Sequence, residues 1–120
     1  MPRDSKTPWG ILQLASATLI CTLGMIGTAE ADTVVFGQIA RIETITSAGG
    51  APGNYDFRVY LLGSPVICNG QIWAYVNASD ANYHATVANV LAAKATASTG
   101  TLHVIQDAAG LCQITVFDYD

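Results

Sequence analysis

Asp56, Arg58 and Tyr60 stand at alternate positions in a stretch whose remaining members, Tyr55, Phe57, Val59 and Leu61, are aromatic or aliphatic. Alternate side chains of a strand share a face and lie about 7 Å apart. An acid, a guanidinium and a phenol so placed would meet one sugar or one short peptide together. Carboxylates and guanidinium groups hydrogen-bond hydroxyls, and an aromatic ring covers the apolar side of a pyranose. The plainer alternative is a cross-strand salt-bridge face, which is common and contributes little to stability.

Other residues invite chemistry less strongly. Trp73 and Tyr75 also alternate, and could form a stacking platform for a sugar, although aromatics on one strand face usually serve a core or an interface. Asp80 and His84 are four apart, one helical turn, and could share a metal; two ligands without a third make an incomplete site, and a cap plus a surface histidine is the commoner arrangement. His103 has no Ser, Cys or Asp at triad-like positions. Asn77-Ala78-Ser79 matches a glycosylation sequon and also reads as the start signal of a helix. The sequence therefore predicts no catalytic residue, no metal site and no cofactor, and hence no enzyme.

The first 31 residues account for much of the chain's apolar content. Arg3 and Lys6 precede a nearly uncharged stretch from Ile11 to Ile26, and Gly27-Thr28-Ala29-Glu30-Ala31 supplies the small-x-small pattern read by signal peptidase. The expectation is a cleaved secretory signal over residues 1–31, a mature domain over residues 32–120, and a periplasmic or secreted location. The apolar stretch is short for a membrane span and has no basic stop-transfer cluster after it. Ile20 before Cys21 is too large for a lipobox.

Cysteine counting follows from export. Cys21 leaves with the signal, so Cys68 and Cys112 remain as an even pair in an oxidising compartment. Their pairing would stabilise a small domain by roughly 4 kcal/mol on the chain-entropy model. After residue 31 three basic side chains, Arg41, Arg58 and Lys94, face seven acidic ones. Three scattered cations do not supply a phosphate-binding patch, which argues against a nucleic-acid partner.

The elements that must position these residues are short and well punctuated. Thr33 to Thr46 is β-branched, but Ile39, Ile42 and Ile45 recur every third position, which predicts a long strand bent by a bulge. Tyr55 to Leu62 is the clearest strand, with Tyr55, Phe57, Val59 and Leu61 inward and Asp56, Arg58 and Tyr60 outward. Asn69-Gly70 suits a two-residue hairpin turn, and in Gln71 to Asn77 the residues Ile72, Ala74 and Val76 oppose Trp73 and Tyr75. A helix is expected from Ser79 or Asp80, burying Tyr83, Val87, Val90 and Leu91, with Gly100 as the left-handed residue after it. Thr101 to Gln106 and Leu111 to Tyr119 complete the set, the latter burying Cys112, Ile114 and Val116.

Five strands with one helix between the third and fourth is the element order of an OB-like Greek-key barrel, a mainly β (α+β) class. Cys68-Asn69-Gly70-Gln71-Ile72-Trp73-Ala74-Tyr75-Val76-Asn77, Asp80-Ala81-Asn82-Tyr83 and Gly110-Leu111-Cys112-Gln113-Ile114 resemble a group of small exported proteobacterial proteins. The layout of that group is distantly similar to the pentameric binding subunits of AB-type toxins of the subtilase-cytotoxin and typhoid-toxin kind. The resemblance covers about residues 37–120. It implies an OB-fold, a homopentamer with helices lining its centre, and a glycan-binding outer surface, but supplies no sugar-contacting residue at a matching position.

Two classes of function follow. One is an exported non-enzymatic binding module, homo-oligomeric, that recognises a glycan or protein surface through Asp56, Arg58 and Tyr60. The other is an envelope structural or assembly protein that binds only other proteins. The alanine-rich helix, with Lys94 its single charge between residues 81 and 100, points to self-association, because a solvated helix ordinarily carries more charge.

Overall fold

The computed structural model describes residues 31–120; apart from Ala31, the expected signal peptide lies outside the described residues. The order is β1 (Thr33–Thr44), β2 (Phe57–Leu61), β3 (Trp73–Val76), α1 (Tyr83–Thr96), β4 (Thr99–Gln106) and β5 (Cys112–Tyr119). The described chain is thus mainly β, a five-stranded mixed sheet with one helix between its third and fourth strands. Pairing runs β1-β2-β3-β5-β4 and closes from β4 back to β1. All neighbours are antiparallel except β3 and β5, which meet in parallel at Tyr75 and Gln113.

The triplet spacing of isoleucines in β1 has the expected cause. The strand pairs with β4 through Thr33–Gln38 and with β2 from Ile39 onward, and its register shifts between Ile39 and Arg41. That bulge shifts the pleat by one residue, so Ile39 and Ile42 both pack on the core. The Ala40 carbonyl accepts a 2.7 Å hydrogen bond from Lys94 Nζ, tying the helix to the bulge. Ile45 lies past the strand end and donates its N–H to the Asp56 carbonyl.

Val59, Ala74, Val90, Leu102, Val104 and Cys112 are fully buried and define the core that the strands and helix enclose. Cys68 and Cys112 form the expected disulfide. Beside it the Asn69-Gly70 turn has both central residues at positive φ, 43° and 75°, the geometry that two-residue hairpins favour.

Several local expectations are corrected. The helix starts at Tyr83, not at Ser79 or Asp80, and has no side-chain cap. Asp80 instead closes the preceding turn, its Oδ2 accepting from the Asn77 amide at 2.8 Å. The helix buries Thr86, Val90 and Ala93, with Tyr83 and Val87 partly buried, while Leu91 is 51% exposed. One helical position separates Leu91 from Val90, about 100° of rotation, which carries it off the inward stripe. Ile72 is exposed because β3 begins only at Trp73. Val116 is exposed and Phe117 buried because the β4–β5 register shifts between His103 and Val104, with His103 opposite Val116 and Val104 opposite Ile114. The extra residue, Thr115, inverts the pleat after it.

Gly100 also has a different task. Ala97 takes the left-handed position after the helix, at φ 53°, and Gly100 lies within β4 under the Phe117 ring. A Cβ there would stand 2.6 Å from Phe117 Cε2. Gly100→Ala is expected to cost about 2 kcal/mol, or roughly 10 °C in thermal midpoint. Adding Phe117→Leu to Gly100→Ala should return part of that loss. Calorimetry of the two variants checks this, and an undiminished midpoint in Gly100→Ala would refute the close approach.

Candidate functional site

Register places six side chains on the outside of β1, β2 and β3. Glu43 pairs with Arg58 and Arg58 with Tyr75, while Arg41 pairs with Tyr60 and Tyr60 with Trp73. Their strand neighbours Val59 and Ala74 are fully buried, so strict alternation sends this set outward. Two cation–aromatic stacks result. The Arg58 guanidinium lies 4.3 Å from the Trp73 ring centre, and that of Arg41 lies 4.0 Å from the centre of Tyr60.

Each stack is fixed by hydrogen bonds. Arg58 Nε donates to the Tyr55 carbonyl at 3.0 Å, which leaves the terminal nitrogens without a hydrogen-bond acceptor among the described residues. The Tyr60 hydroxyl donates to Glu43 Oε2 at 2.8 Å, and Arg41 Nη2 meets Glu43 Oε1 at 3.1 Å. Trp73 continues into Tyr75, ring centres 6.3 Å apart, and Tyr55 meets Tyr75 edge-on at 4.6 Å. Tyr75 is buried and donates its hydroxyl to Asp107 Oδ2 at 2.5 Å. Of the two aromatics considered for stacking, Tyr75 is therefore a packing residue and Trp73 remains available.

The trio Asp56, Arg58 and Tyr60 does not present as one set. Asp56 precedes β2, and its carboxylate accepts from the amides of Ser47 (3.2 Å), Ala48 (2.8 Å) and Gly53 (2.7 Å). It buckles the β1–β2 loop. The Ala48 hydrogen bond holds the Asp56 carboxyl below the usual carboxylate range against the opposing effect of burial, and the Gly53 and Ser47 bonds and the Arg58 charge add to it. Tyr60 is 9% exposed, covered by Arg41. Tyr55 leaves the inward row altogether, because it sits at φ 57° ahead of the strand.

Asp107, in the β4–β5 loop, has a parallel role. Its Oδ1 accepts from the Ala109 and Leu111 amides at 2.9 and 2.8 Å. Burial raises the carboxyl pKa, but hydrogen bonds from the Tyr75 hydroxyl, the Leu111 and Ala109 amides and Tyr55 outweigh that and leave it lowered. Burial and the bond to Asp107 push the Tyr75 hydroxyl up. Tyr55 rises for similar reasons, desolvation first and then the Asp107 charge.

The sequence singled out Arg58 and weighed Trp73, but did not find Arg41 or Glu43. The available signal was scarcity: two of the three cations after residue 31 lie on this one face. Among the described residues no cluster of three metal-ligating side chains occurs. Asp80 is held by Gln113 Nε2 at 3.0 and 3.1 Å, His84 lies against the Tyr83 ring, and His103 Nδ1 meets Asp32 Oδ2 at 3.2 Å. A cleft of about 260 Å³ lies beside Asp80 and Gln113, and one of about 270 Å³ beside Cys68, Asn69 and Asp107; both adjoin Tyr75, through its strand partner Gln113 and its hydrogen-bond acceptor Asp107.

Comparison with family models, with curated proteins and with solved structures returns no match.

Proposed function

We propose that this chain is an exported, non-enzymatic binding module of OB-like Greek-key type whose β2–β3 outer face engages carbohydrate. The Arg58–Trp73 stack carries the reading. It sets guanidinium donors beside the ring face of Trp73 that Arg58 does not cover, the two chemistries a pyranose requires. The pairing order supports the OB-like assignment, since β1 bonds to both β2 and β4 and the helix follows β3. In OB-folds the strand 2–3 face and the loops joining strands 1–2 and 4–5 are the usual ligand surfaces. Here Asp56 and Asp107 rigidify those same two loops.

Export rests on the signal-like residues 1–31 and agrees with the disulfide. Among the described residues no helix is long and apolar enough to cross a membrane. Homo-oligomerisation belongs to this reading because repeated copies multiply weak sugar contacts. The alternative is an envelope assembly protein that binds only other proteins. The exposed Phe36, with Val34 and Val116, favours it.

A glycan array separates the two. Trp73→Ala and Arg58→Ala should each weaken binding about tenfold, the order of one stacking contact or one charge-assisted hydrogen bond to the ligand, and Arg58→Ala should lower the thermal midpoint by no more than about 5 °C, the order of an exposed cation–aromatic contact. A wild-type protein that binds no glycan, or variants that bind as before, would leave the assembly reading in first place.

A further inference from the structure

The outer row that carries Arg58 does not end at β3. Register continues it from Arg58 to Tyr75, from Tyr75 to Gln113 and from Gln113 to Ile105, while the alternating neighbours Val76, Cys112, Ile114 and Val104 are buried. Arg58 and Gln113 therefore stand two strand spacings apart, about 10 Å, on the same side of the sheet. Tyr75, between them, is buried and offers no contact of its own. Beyond it, Gln113 and Ile105 line the cleft of about 260 Å³ together with Asp80, Asn82, Thr86 and Thr115, beside the start of α1. That volume is just under the roughly 300 Å³ at which small-molecule pockets begin, which suits one ring of a longer ligand.

What the lining groups have left to offer selects the ligand. Thr86 is nine-tenths buried, and its hydroxyl has no partner among the described residues; because no unpartnered side-chain oxygen there is sealed from solvent, it opens into the cleft. Asn82 supplies no cap to the helix, so its amide keeps both donor and acceptor capacity. Gln113 commits Nε2 to Asp80 and retains Oε1 as an acceptor. Thr115 donates to the His103 carbonyl at 3.1 Å and retains its lone pairs. No Lys or Arg lines the cleft, which leaves an anion without a counter-charge. Its one carboxylate, Asp80, already accepts from Gln113 and from the Asn77 amide, which leaves a metal ion too few ligands. Mixed neutral donors and acceptors beside an isoleucine suit a neutral, polyhydroxylated ring. We propose that the cleft is a second sugar subsite, holding one neutral ring of an oligosaccharide whose other end lies over Trp73 and Arg58. This subsite rests on the carbohydrate-binding reading of the Trp73 face and narrows its ligand from a single pyranose to a chain that crosses β3.

An array of neutral glycans graded from monosaccharides to hexasaccharides tests this on the purified protein. Wild-type binding is expected to strengthen about tenfold from monosaccharide to trisaccharide, the order of one or two added hydrogen bonds, and to level off beyond it. Thr86→Val, which keeps the side-chain shape without the hydroxyl, and Asn82→Ala should each remove most of that gain while monosaccharide binding and the thermal midpoint stay as in the wild type. Trp73→Ala should weaken binding at every length. A midpoint that falls by several degrees in Thr86→Val would show the hydroxyl engaged within the fold, and so overturns the subsite. Equal binding of all lengths, a gain that either cleft variant leaves intact, or a loss of monosaccharide binding in either one also overturns the subsite and leaves the Trp73 face standing. Absence of binding to any glycan overturns the Trp73 reading, and the subsite with it.

Discussion

Replacing Cys68 and Cys112 together with alanine should remove about 4 kcal/mol of stability, the chain-entropy value for a closed loop of 44 residues. A small domain has about 5–15 kcal/mol in total. The place of the bridge suggests why the fold needs it. Among the described residues β3 and β5 are the only parallel neighbours, and they share a single registered pair, Tyr75 with Gln113. Cys68 precedes β3 at the hairpin turn, and Cys112 opens β5. The covalent link thus joins the two strands where the hydrogen-bond ladder is shortest, assisted by Asn69 Nδ2 donating to the Gly110 carbonyl at 3.1 Å. Alanine is the right replacement, because Cys112 is fully buried and alanine adds no polar group there. In urea the variant should unfold earlier and with a steeper slope, since its denatured chain exposes more surface. Reductant should bring the wild type to the variant's midpoint and leave the variant unmoved. A wild type whose midpoint ignores complete reduction would contradict the argument.

The element order and the bulge in β1 were legible because each rests on local signals: β-branched runs, the Asn69-Gly70 turn, and a period that fits neither strand nor helix. The disulfide was legible from counting. Features that depend on another element were not. Gly100 has the form of a helix terminator until Phe117 is known to lie 2.6 Å from its missing Cβ, and Leu91 fits an i, i+4, i+7, i+8 stripe until the sheet selects a narrower one. Thr115 carries no local mark of a bulge, yet it exchanges Val116 for Phe117 in the core.

The site shows the same division. Alternation along β2 correctly separated Arg58 from Val59 and its inward neighbours. It could not show that Asp56 is occupied by three backbone amides across the β1–β2 loop, nor that Tyr60 lies under Arg41. All of those partners but Gly53 come from residues 8 to 19 positions away, and only the path of the loop and the strand register brings them near. The stack of Arg58 on Trp73 is likewise a cross-strand event, and its partner was visible only as an aromatic on some strand face.

Asp107 should prove an acid-sensitive support of this face. Its carboxylate joins three donors, the Tyr75 hydroxyl and the Ala109 and Leu111 amides, and through Tyr75 it holds Tyr55 and Trp73 in line. Asp107→Ala leaves the buried Tyr75 hydroxyl without its acceptor and frees the loop, at a cost of about 3 kcal/mol near neutral pH. The pH dependence has a definite sign. A carboxyl whose folded-state pKa is lowered stabilises the fold above its unfolded value of about 4, and that contribution disappears as pH falls through the folded-state value. The wild type should therefore hold its stability down to about pH 5 and lose it on further acidification, with Asp56 adding to the loss in the same direction. The gap between wild type and Asp107→Ala, read from urea midpoints, should narrow from pH 7 to pH 3 because the wild type surrenders there what the variant never had. At the alkaline end the raised Tyr75 hydroxyl works oppositely: its contribution is intact below about pH 10 and is lost as pH rises beyond it. If the gap between the two proteins stays constant from pH 7 to pH 3, the carboxylate is not what holds Tyr75, and the rigid support attributed to the Trp73 face would have to come from the Tyr55 contact instead.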